Sequence, residues 1–229
     1  AILGDRVRMQ DHATDPGVFI RSMATRGHLG GLSLATPQAV RVLDAAGKPW
    51  VLIETVGVGQ VEIEVAGAAD TTVVVVNPGW GDSVQASKAG LLEIADLFVV
   101  NKADRDGADE TVRDLDFMLE LSLQPGARGV PGAAAWKPPI VKTVASKGDG
   151  IDELWDAIGA HRRFLESDGR LAVRRAERVR EELHSIVVGR LYEQAGAVCA
   201  GPRFEEAAEA VLSRRVDPYT AAEGLLAGD

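Results

Sequence analysis

Short, uninterrupted apolar runs alternate with amphipathic stretches along much of the chain. The runs are rich in Val, Ile, Leu and Phe, end at glycine, proline or polar residues, and occupy residues 50–55, 71–77, 97–101 and 139–143. Continuous apolar runs of this length predict strands that are covered on both faces, as in a parallel sheet. Helical spacing is found between them, at residues 60–69, 87–95 and 109–121. This alternation predicts an α/β fold with a mostly parallel sheet flanked by helices.

The pattern changes after Gly150. From there on apolar residues recur every three or four positions, and we predict helices over residues 151–164, 171–194, 205–213 and 218–226. We therefore predict a sheet domain over residues 1–165 and a helical region over residues 166–229. Helices with a single apolar stripe have little core of their own. We expect the stripe to be buried against a second copy of the chain, and packing against the chain's own sheet domain remains the alternative.

Composition narrows the range of partners. The 229 residues carry a net charge of −9, which argues against nucleic acid or an anionic membrane as the main partner. Cys199 is the single cysteine, so an intramolecular disulfide is impossible and nothing indicates secretion. The apolar runs are far shorter than the roughly 20 residues of a membrane span. We expect a cytoplasmic protein that binds neither nucleic acid nor membrane.

The apolar run over residues 97–101 leads directly into Asn101-Lys102-Ala103-Asp104. In α/β folds, ligands bind at the carboxyl ends of parallel strands. Guanine presents two neighbouring N–H donors, to which a carboxylate at Asp104 can bind in a bidentate, charge-assisted way. Adenine lacks this pair of donors and would leave the carboxylate unpaired. With Asn101 toward the other edge of the base and the Lys102 stem over its ring, the motif predicts guanine recognition.

An acidic residue and a glycine follow the predicted strand over residues 50–55. Glu54 lies where a carboxylate can hold Mg²⁺, usually through water, and the backbone N–H of Gly57 can approach a γ-phosphate without a Cβ in the way. The position four residues after such an acid often carries a glutamine that orients the attacking water, but here it is Val58. We therefore predict a GTPase with slow intrinsic hydrolysis or one that depends on a partner.

Three strings of sequence together resemble one group of P-loop GTPases. They are Leu3-Gly4-Asp5-Arg6-Val7-Arg8-Met9, Glu54-Thr55-Val56-Gly57-Val58-Gly59-Gln60 and Asn77-Pro78-Gly79-Trp80-Gly81-Asp82. The combination resembles the MeaB/ArgK/MMAA subfamily over essentially the whole chain. The resemblance implies a homodimeric GTPase that acts as a chaperone for adenosylcobalamin-dependent methylmalonyl-CoA mutase, gating cofactor loading and protecting or reactivating the mutase. It also implies GTP, GDP and Mg²⁺ as ligands and a helical region used for dimerisation.

The resemblance assigns roles to individual residues. Asp5 aligns with an acidic residue near the magnesium, and Glu54 aligns with the acid of the second switch. Residues 79–88 correspond to the family's third switch, which reports the nucleotide state to the mutase. Its charged members here are Asp82 and Lys88, which the resemblance implies as nucleotide-binding and catalytic residues, the lysine approaching either the nucleotide or the partner. From the residues alone, Asp82 and Lys88 also suit a solvated helix start.

The loop after the last predicted strand departs from the family pattern. The family usually has Ser-Ala there, whereas this chain has Val144-Ala145-Ser146-Lys147-Gly148. The family's contact to the guanine O6 comes from a backbone N–H. Ala145 can therefore still supply that contact, with Ser146 beside it in the predicted base site.

A phosphate-binding loop of the form Gly-x-x-x-x-Gly-Lys-Ser/Thr does not occur in the sequence, and the family places it upstream of position 1. We expect the sequence to be part of a longer protein that carries this loop. Two other functions remain open. A GTP-dependent metallochaperone would need clustered thiol and imidazole ligands, whereas the histidines here are scattered and Cys199 stands alone. A non-catalytic dimeric interaction module is the alternative if the chain is complete as given.

Overall fold

Strands and helices alternate in the first part of the molecule, and helices alone follow. The computed structural model describes residues 9–12, 14–23, 35–55, 67–79, 85–122 and 136–227, with only the backbone described at 85–89 and 122. A short 3₁₀ turn covers Gln10–His12. The helices and strands are, in chain order, α1 (Thr36–Ala45), β1 (Val73–Val76), α2 (Gln85–Ile94), β2 (Leu97–Asn101), α3 (Ala108–Ser122), β3 (Ile140–Thr143), α4 (Ile151–Ser167), α5 (Arg170–Cys199), α6 (Pro202–Leu212) and α7 (Pro218–Ala227).

The three strands form one parallel sheet in the order β1-β2-β3. Val73 of β1 pairs with Leu97 of β2, and Phe98 of β2 pairs with Ile140 of β3. The first four residues of β2 are buried, as expected for a central strand covered on both faces. The predicted α/β class with a parallel sheet is confirmed, and each of these strands begins and ends within two residues of its predicted bounds.

Packing against α3 builds the core on one face of the sheet. Phe98 and Val100 of β2 are two residues apart and therefore point to the same face. They share a buried cluster with Leu115 and Leu119 of α3, which are four residues apart and lie on one side of that helix. Helix α4 also packs against β2 and β3. This packing holds the loops at the carboxyl ends of β2 and β3 on rigid supports.

The strand predicted over residues 50–55 is not formed, since those residues have no regular secondary structure. Trp50 instead packs on Trp155 of α4, with ring centroids 4.5 Å apart, and Leu52 is 85% exposed. A strand requires a neighbour that takes up its backbone hydrogen bonds. In the described part of the chain β1 is the edge strand, and it pairs only with β2. The prediction was wrong because an apolar run does not supply that neighbour. The helix predicted over residues 60–69 lies mainly outside the described residues.

A mostly buried polar cluster lies at the amino edge of the sheet. The Asp96 carboxylate accepts the backbone N–H of Thr72 at 2.8 Å and both terminal nitrogens of Arg174 at 3.1 and 3.2 Å. His161 of α4 is 1% exposed, with Nε2 3.4 Å from Asp96 Oδ1 and Nδ1 2.9 Å from the Thr71 hydroxyl oxygen. Bidentate arginine–carboxylate pairing is strong and geometrically specific. The cluster therefore fixes α4 and the first turn of α5, up to Arg174, to the sheet.

Acidification is expected to destabilise the protein through His161. Burial lowers the pKa of His161 below its ordinary value of 6.5, Arg174 lowers it further, and Asp96 opposes the shift only in part. Between the folded pKa and 6.5 the unfolded chain binds a proton that the folded chain does not, so the unfolding free energy falls as the pH falls through that window. We expect His161→Gln to flatten the dependence measured by urea unfolding between about pH 7.5 and about pH 5.5.

His184 supplies the matched control, because it is an exposed histidine of α5. The variant His184→Gln is expected to keep the pH dependence of the wild type. If His161→Gln and the wild type lose unfolding free energy equally on acidification, the assignment to His161 is wrong.

By its contacts the chain divides into two compact units, residues 1–174 and residues 175–229. The second unit holds the rest of α5 together with α6 and α7, which pack against each other. Apolar side chains are exposed along α5, among them Leu183, Ile186 and Leu191. The predicted domain boundary, with a sheet domain over residues 1–165 and a helical dimerisation region over residues 166–229, stays a prediction. None of the described helices, α5 included, combines the length and apolarity needed to cross a membrane.

Candidate functional site

The carboxyl ends of β2 and β3 bring together two loops that are distant in sequence. Asn101 ends β2 directly opposite Thr143, which ends β3. The Asn101 side-chain oxygen accepts the Thr143 hydroxyl and the backbone N–H of Ala145, each at 3.2 Å. The N–H of Ala103 donates to the Thr143 carbonyl at 3.0 Å. The two bonds to its oxygen fix the Asn101 amide, whose NH₂ group points the other way as a donor.

Lys102 and Asp104 belong to the tight turn that follows β2. Lys102 adopts a left-handed backbone with φ of 59°, which is uncommon for a residue with a side chain. The N–H of Arg105 closes the turn on the Lys102 carbonyl at 3.0 Å. Asp104 is exposed, and its Oδ2 lies 3.3 Å from Nζ of Lys147 in the other loop. The turn therefore places a carboxylate at the surface beside the loop after β3.

The loop after β3 is braced by its own backbone. The N–H of Val144 donates to the Asp149 carbonyl at 3.0 Å, which closes the loop into a narrow turn. Gly150 ends the loop with φ of +74°, and a Cβ at this position would lie 2.1 Å from the Lys142 carbonyl oxygen. Only glycine fits both the left-handed backbone and the close approach to β3. The loop is thus held tightly against the strand, with Ala145 exposed near its tip.

The structure brings together the residues of the predicted base site and describes less of the predicted phosphate and metal site. Ser146 is exposed next to Ala145, and Glu54 is exposed in an irregular segment. Three predicted residues lie outside the described residues: Asp5, Gly57 and Asp82. For Lys88 only the backbone is described, within α2. Among the residues whose side chains are described, no group of three or more His, Cys, Asp or Glu could hold a metal ion.

Two contributors to this edge were missed from the sequence. Thr143 holds the Asn101 side chain, and Lys147 is the ion-pair partner of Asp104. Thr143 could have been found, since parallel strands that end together place their last residues side by side. Lys147 carries no comparable signal, because the path of its loop depends on the turn that Gly150 permits.

The sequence of residues 1–200 matches the family described as methylmalonyl Co-A mutase-associated GTPase MeaB. The chain belongs to the MeaB family. A provisionally named GTPase of Pyrococcus horikoshii is 50% identical over 226 residues, which are 99% of this chain and 69% of that protein. GTPase ArgK of Escherichia coli is 40% identical over 171 residues, which are 75% of this chain and 50% of ArgK. The resemblance inferred from the sequence motifs is therefore confirmed.

More distant MeaB relatives agree with this assignment. The mouse protein named methylmalonic aciduria type A homolog, mitochondrial, is 35% identical over 176 residues, or 76% of this chain and 41% of the mouse protein. A crystal structure titled LAO/AO transport system kinase superimposes with a TM-score of 0.55 and 29% identity. That match covers 82% of this chain and 60% of the solved chain. The chain thus spans only part of the length of these relatives.

Proposed function

We propose that this protein binds GTP, hydrolyses it slowly, and uses the nucleotide to time its action on an adenosylcobalamin-dependent acyl-CoA mutase. The observation that carries the proposal is the convergence of Asn101, Asp104 and Ala145 at the carboxyl edge of the sheet. Membership in a family of GTPases supports it.

Base recognition follows from the groups that this edge presents. The exposed Asp104 carboxylate accepts the two N–H donors on one edge of guanine, and the NH₂ group of Asn101 donates toward its other edge. The Ala145 N–H, which lies 3.2 Å from Asn101 Oδ1 in an exposed part of the loop, is proposed to donate to the guanine O6. The Lys102 stem, from a residue with a left-handed backbone, is proposed to cover the ring face of the base. Asn101, Lys102, Asp104, Ala145 and Ser146 form the proposed base site.

Hydrolysis requires groups beyond the base site. The Glu54 carboxylate is exposed, and a carboxylate oxygen is the donor type that Mg²⁺ prefers, so this residue fits the ion. Glu54 would hold Mg²⁺ together with Asp5, with the Gly57 N–H near the γ-phosphate. When bound, the ion neutralises charge on the β- and γ-phosphate oxygens. Hydrolysis also depends on a phosphate-binding loop, and with Val58 at the usual glutamine position we expect slow turnover in the absence of a partner.

The proposed partners are a second copy of the chain and the mutase, met in the cytoplasm. The exposed apolar side chains of α5 supply a surface suited to self-association. Residues 79–88, with Asp82 and Lys88, are proposed as the switch that signals the nucleotide state to the mutase. The family description, which names a mutase-associated GTPase, supports this partner. Gating of cofactor loading and protection of the mutase are the proposed consequences.

Direct titration tests the base preference. We expect the full-length protein to bind mant-GDP at least about 100-fold more tightly than mant-ADP, because adenine leaves the Asp104 carboxylate without its two donors. The two nucleotides share the same sugar and phosphates, so the ratio of their dissociation constants reports on the base alone. Equal affinity for the two nucleotides would contradict the proposal.

A further inference from the structure

Thr111 of α3 joins two loops at the carboxyl edge of the sheet. Its hydroxyl donates to the Gly107 carbonyl at 3.0 Å and accepts the backbone N–H of Gly79 at 3.3 Å. Gly107 ends the loop that follows β2, and Gly79 lies in the loop that follows β1. The side chain of one helical residue therefore bridges two loops that no backbone hydrogen bond is seen to connect among the described residues.

The polarity of this bridge is fixed. A hydroxyl has one proton, which Thr111 gives to Gly107, and its lone pairs then face the Gly79 N–H. The residue is 3% exposed, so water does not readily replace either partner. A buried donor or acceptor without a partner is unfavourable. Valine has nearly the same shape as threonine, but its side chain can neither donate nor accept a hydrogen bond. The bridge therefore depends on the hydroxyl itself.

The two loops also lie close together at Gly107. Gly107 has a left-handed backbone with φ of +85°, and a Cβ built there would lie 3.9 Å from both the Gly79 nitrogen and Cβ of Pro78. Such proximity follows from the sheet, because β1 and β2 are parallel neighbours and their carboxyl ends share one edge. Gly107 and Gly79 are therefore near neighbours, and hydrogen bonds link their loops through the Thr111 hydroxyl.

We propose that Thr111 is a positioning residue that couples the base-binding loop to the loop after β1, so that a guanine nucleotide held by Asn101 and Asp104 also restrains Gly79. The inference rests on the proposed function, since it takes the loop after β2 to be the base-binding loop. It adds to that function the contact through which a bound base affects Gly79. Gly79 is the first residue of the proposed switch over residues 79–88. The Gly79 N–H is the donor in the bridge, so its hydrogen-exchange rate reports directly on that hydrogen bond.

Hydrogen exchange at the Gly79 amide tests the coupling. With glycine-selective isotope labelling of the full-length protein, saturating GDP is expected to slow Gly79 exchange about fivefold or more, in line with a strengthened buried hydrogen bond. In Thr111→Val we expect GDP to bind but to change the Gly79 exchange rate by less than about twofold. Thr111→Ser keeps the hydroxyl and is expected to restore the GDP effect. A purely structural role would lower thermal stability without abolishing this nucleotide response.

Thr72 provides the matched control. It is a buried threonine before β1, and its hydroxyl has no hydrogen-bond partner among the described residues. Thr72→Val is therefore expected to leave the GDP response at Gly79 unchanged. If Thr111→Val does not fold, Thr111→Cys, with a weaker donor and acceptor, is expected to give an intermediate response.

The possible failures are distinguishable. If GDP slows Gly79 exchange equally in the wild type and Thr111→Val, or binds the wild type without affecting Gly79, the coupling is wrong while the proposed function stands. If the wild type does not bind GDP, the proposed function fails and the coupling fails with it.

Discussion

Replacing Asp104 with asparagine is expected to weaken GDP binding by at least about 100-fold and to shift the preference of the site to xanthosine diphosphate. Asparagine keeps one acceptor for the N–H at position 1 of the base but sets an NH₂ group against the NH₂ of guanine. Xanthine carries a carbonyl there and accepts that donor. Asp104 is exposed and stands outside the buried core, so the fold should not change. Competition of both diphosphates against mant-GDP measures the switch.

Asp109 offers a matched control for this substitution. Like Asp104 it is an exposed aspartate paired with a lysine, at 2.9 Å from Lys142, and the Lys142 ammonium holds its pKa below the ordinary value. Asp109→Asn therefore removes a similar charge pair outside the base-binding turn and is expected to leave GDP affinity and base preference as in the wild type. If both variants lose GDP affinity to the same extent, net charge explains the loss, and Asp104 does not read the base.

The sheet and the base-binding motif were accessible from the sequence for related reasons. A buried parallel strand is apolar along its whole length, so the run at β2 stood out without knowledge of its neighbours. The runs at β1 and β3 were recognised by the same pattern, although these strands are only partly buried. Asn101 and Asp104 follow β2 directly, and the rule that ligands bind at carboxyl ends then located the site. The parallel register of Asn101 and Thr143 completes it. For β2 and for Asn101 and Asp104 the local pattern was sufficient, whereas the hydrogen bond from Thr143 to Asn101 was missed.

Features that depend on distant partners were not accessible in this way. The apolar residues 50–55 lack a neighbouring strand among the described residues and are irregular, although their local pattern is that of a strand. The Asp96 cluster joins residues 78 positions apart, and nothing near Asp96 in the sequence indicates Arg174 as its partner. The Thr111 bridge likewise depends on how α3 lies between two loops. Long-range packing, rather than propensity, determines each of these contacts.

The loop after β3 depends on such packing at Gly150. We expect Gly150→Ala to lower the free energy of unfolding by at least about 3 kcal/mol. The new Cβ would lie 2.1 Å from the Lys142 carbonyl oxygen and 3.3 Å from the Thr143 Cα. Both atoms belong to the backbone of β3, which pairs with β2 and cannot move without loss of those bonds. The free energy of unfolding in urea measures the loss. Because Thr143 and Ala145 hold the Asn101 side chain, GDP affinity should fall as well.

Gly148 separates the steric clash from the strain of the backbone itself. Gly148 has nearly the same conformation, with φ of +80° against +74° at Gly150, but a Cβ there would meet nothing within 4 Å. Gly148→Ala therefore carries only the left-handed strain, and we expect it to lower the unfolding free energy by about 1–2 kcal/mol. The difference between the two variants is then the contribution of the contact between Gly150 and β3. Equal losses would show that this contact does not hold the loop, and the positioning of Ala145 beside Asn101 would need another cause.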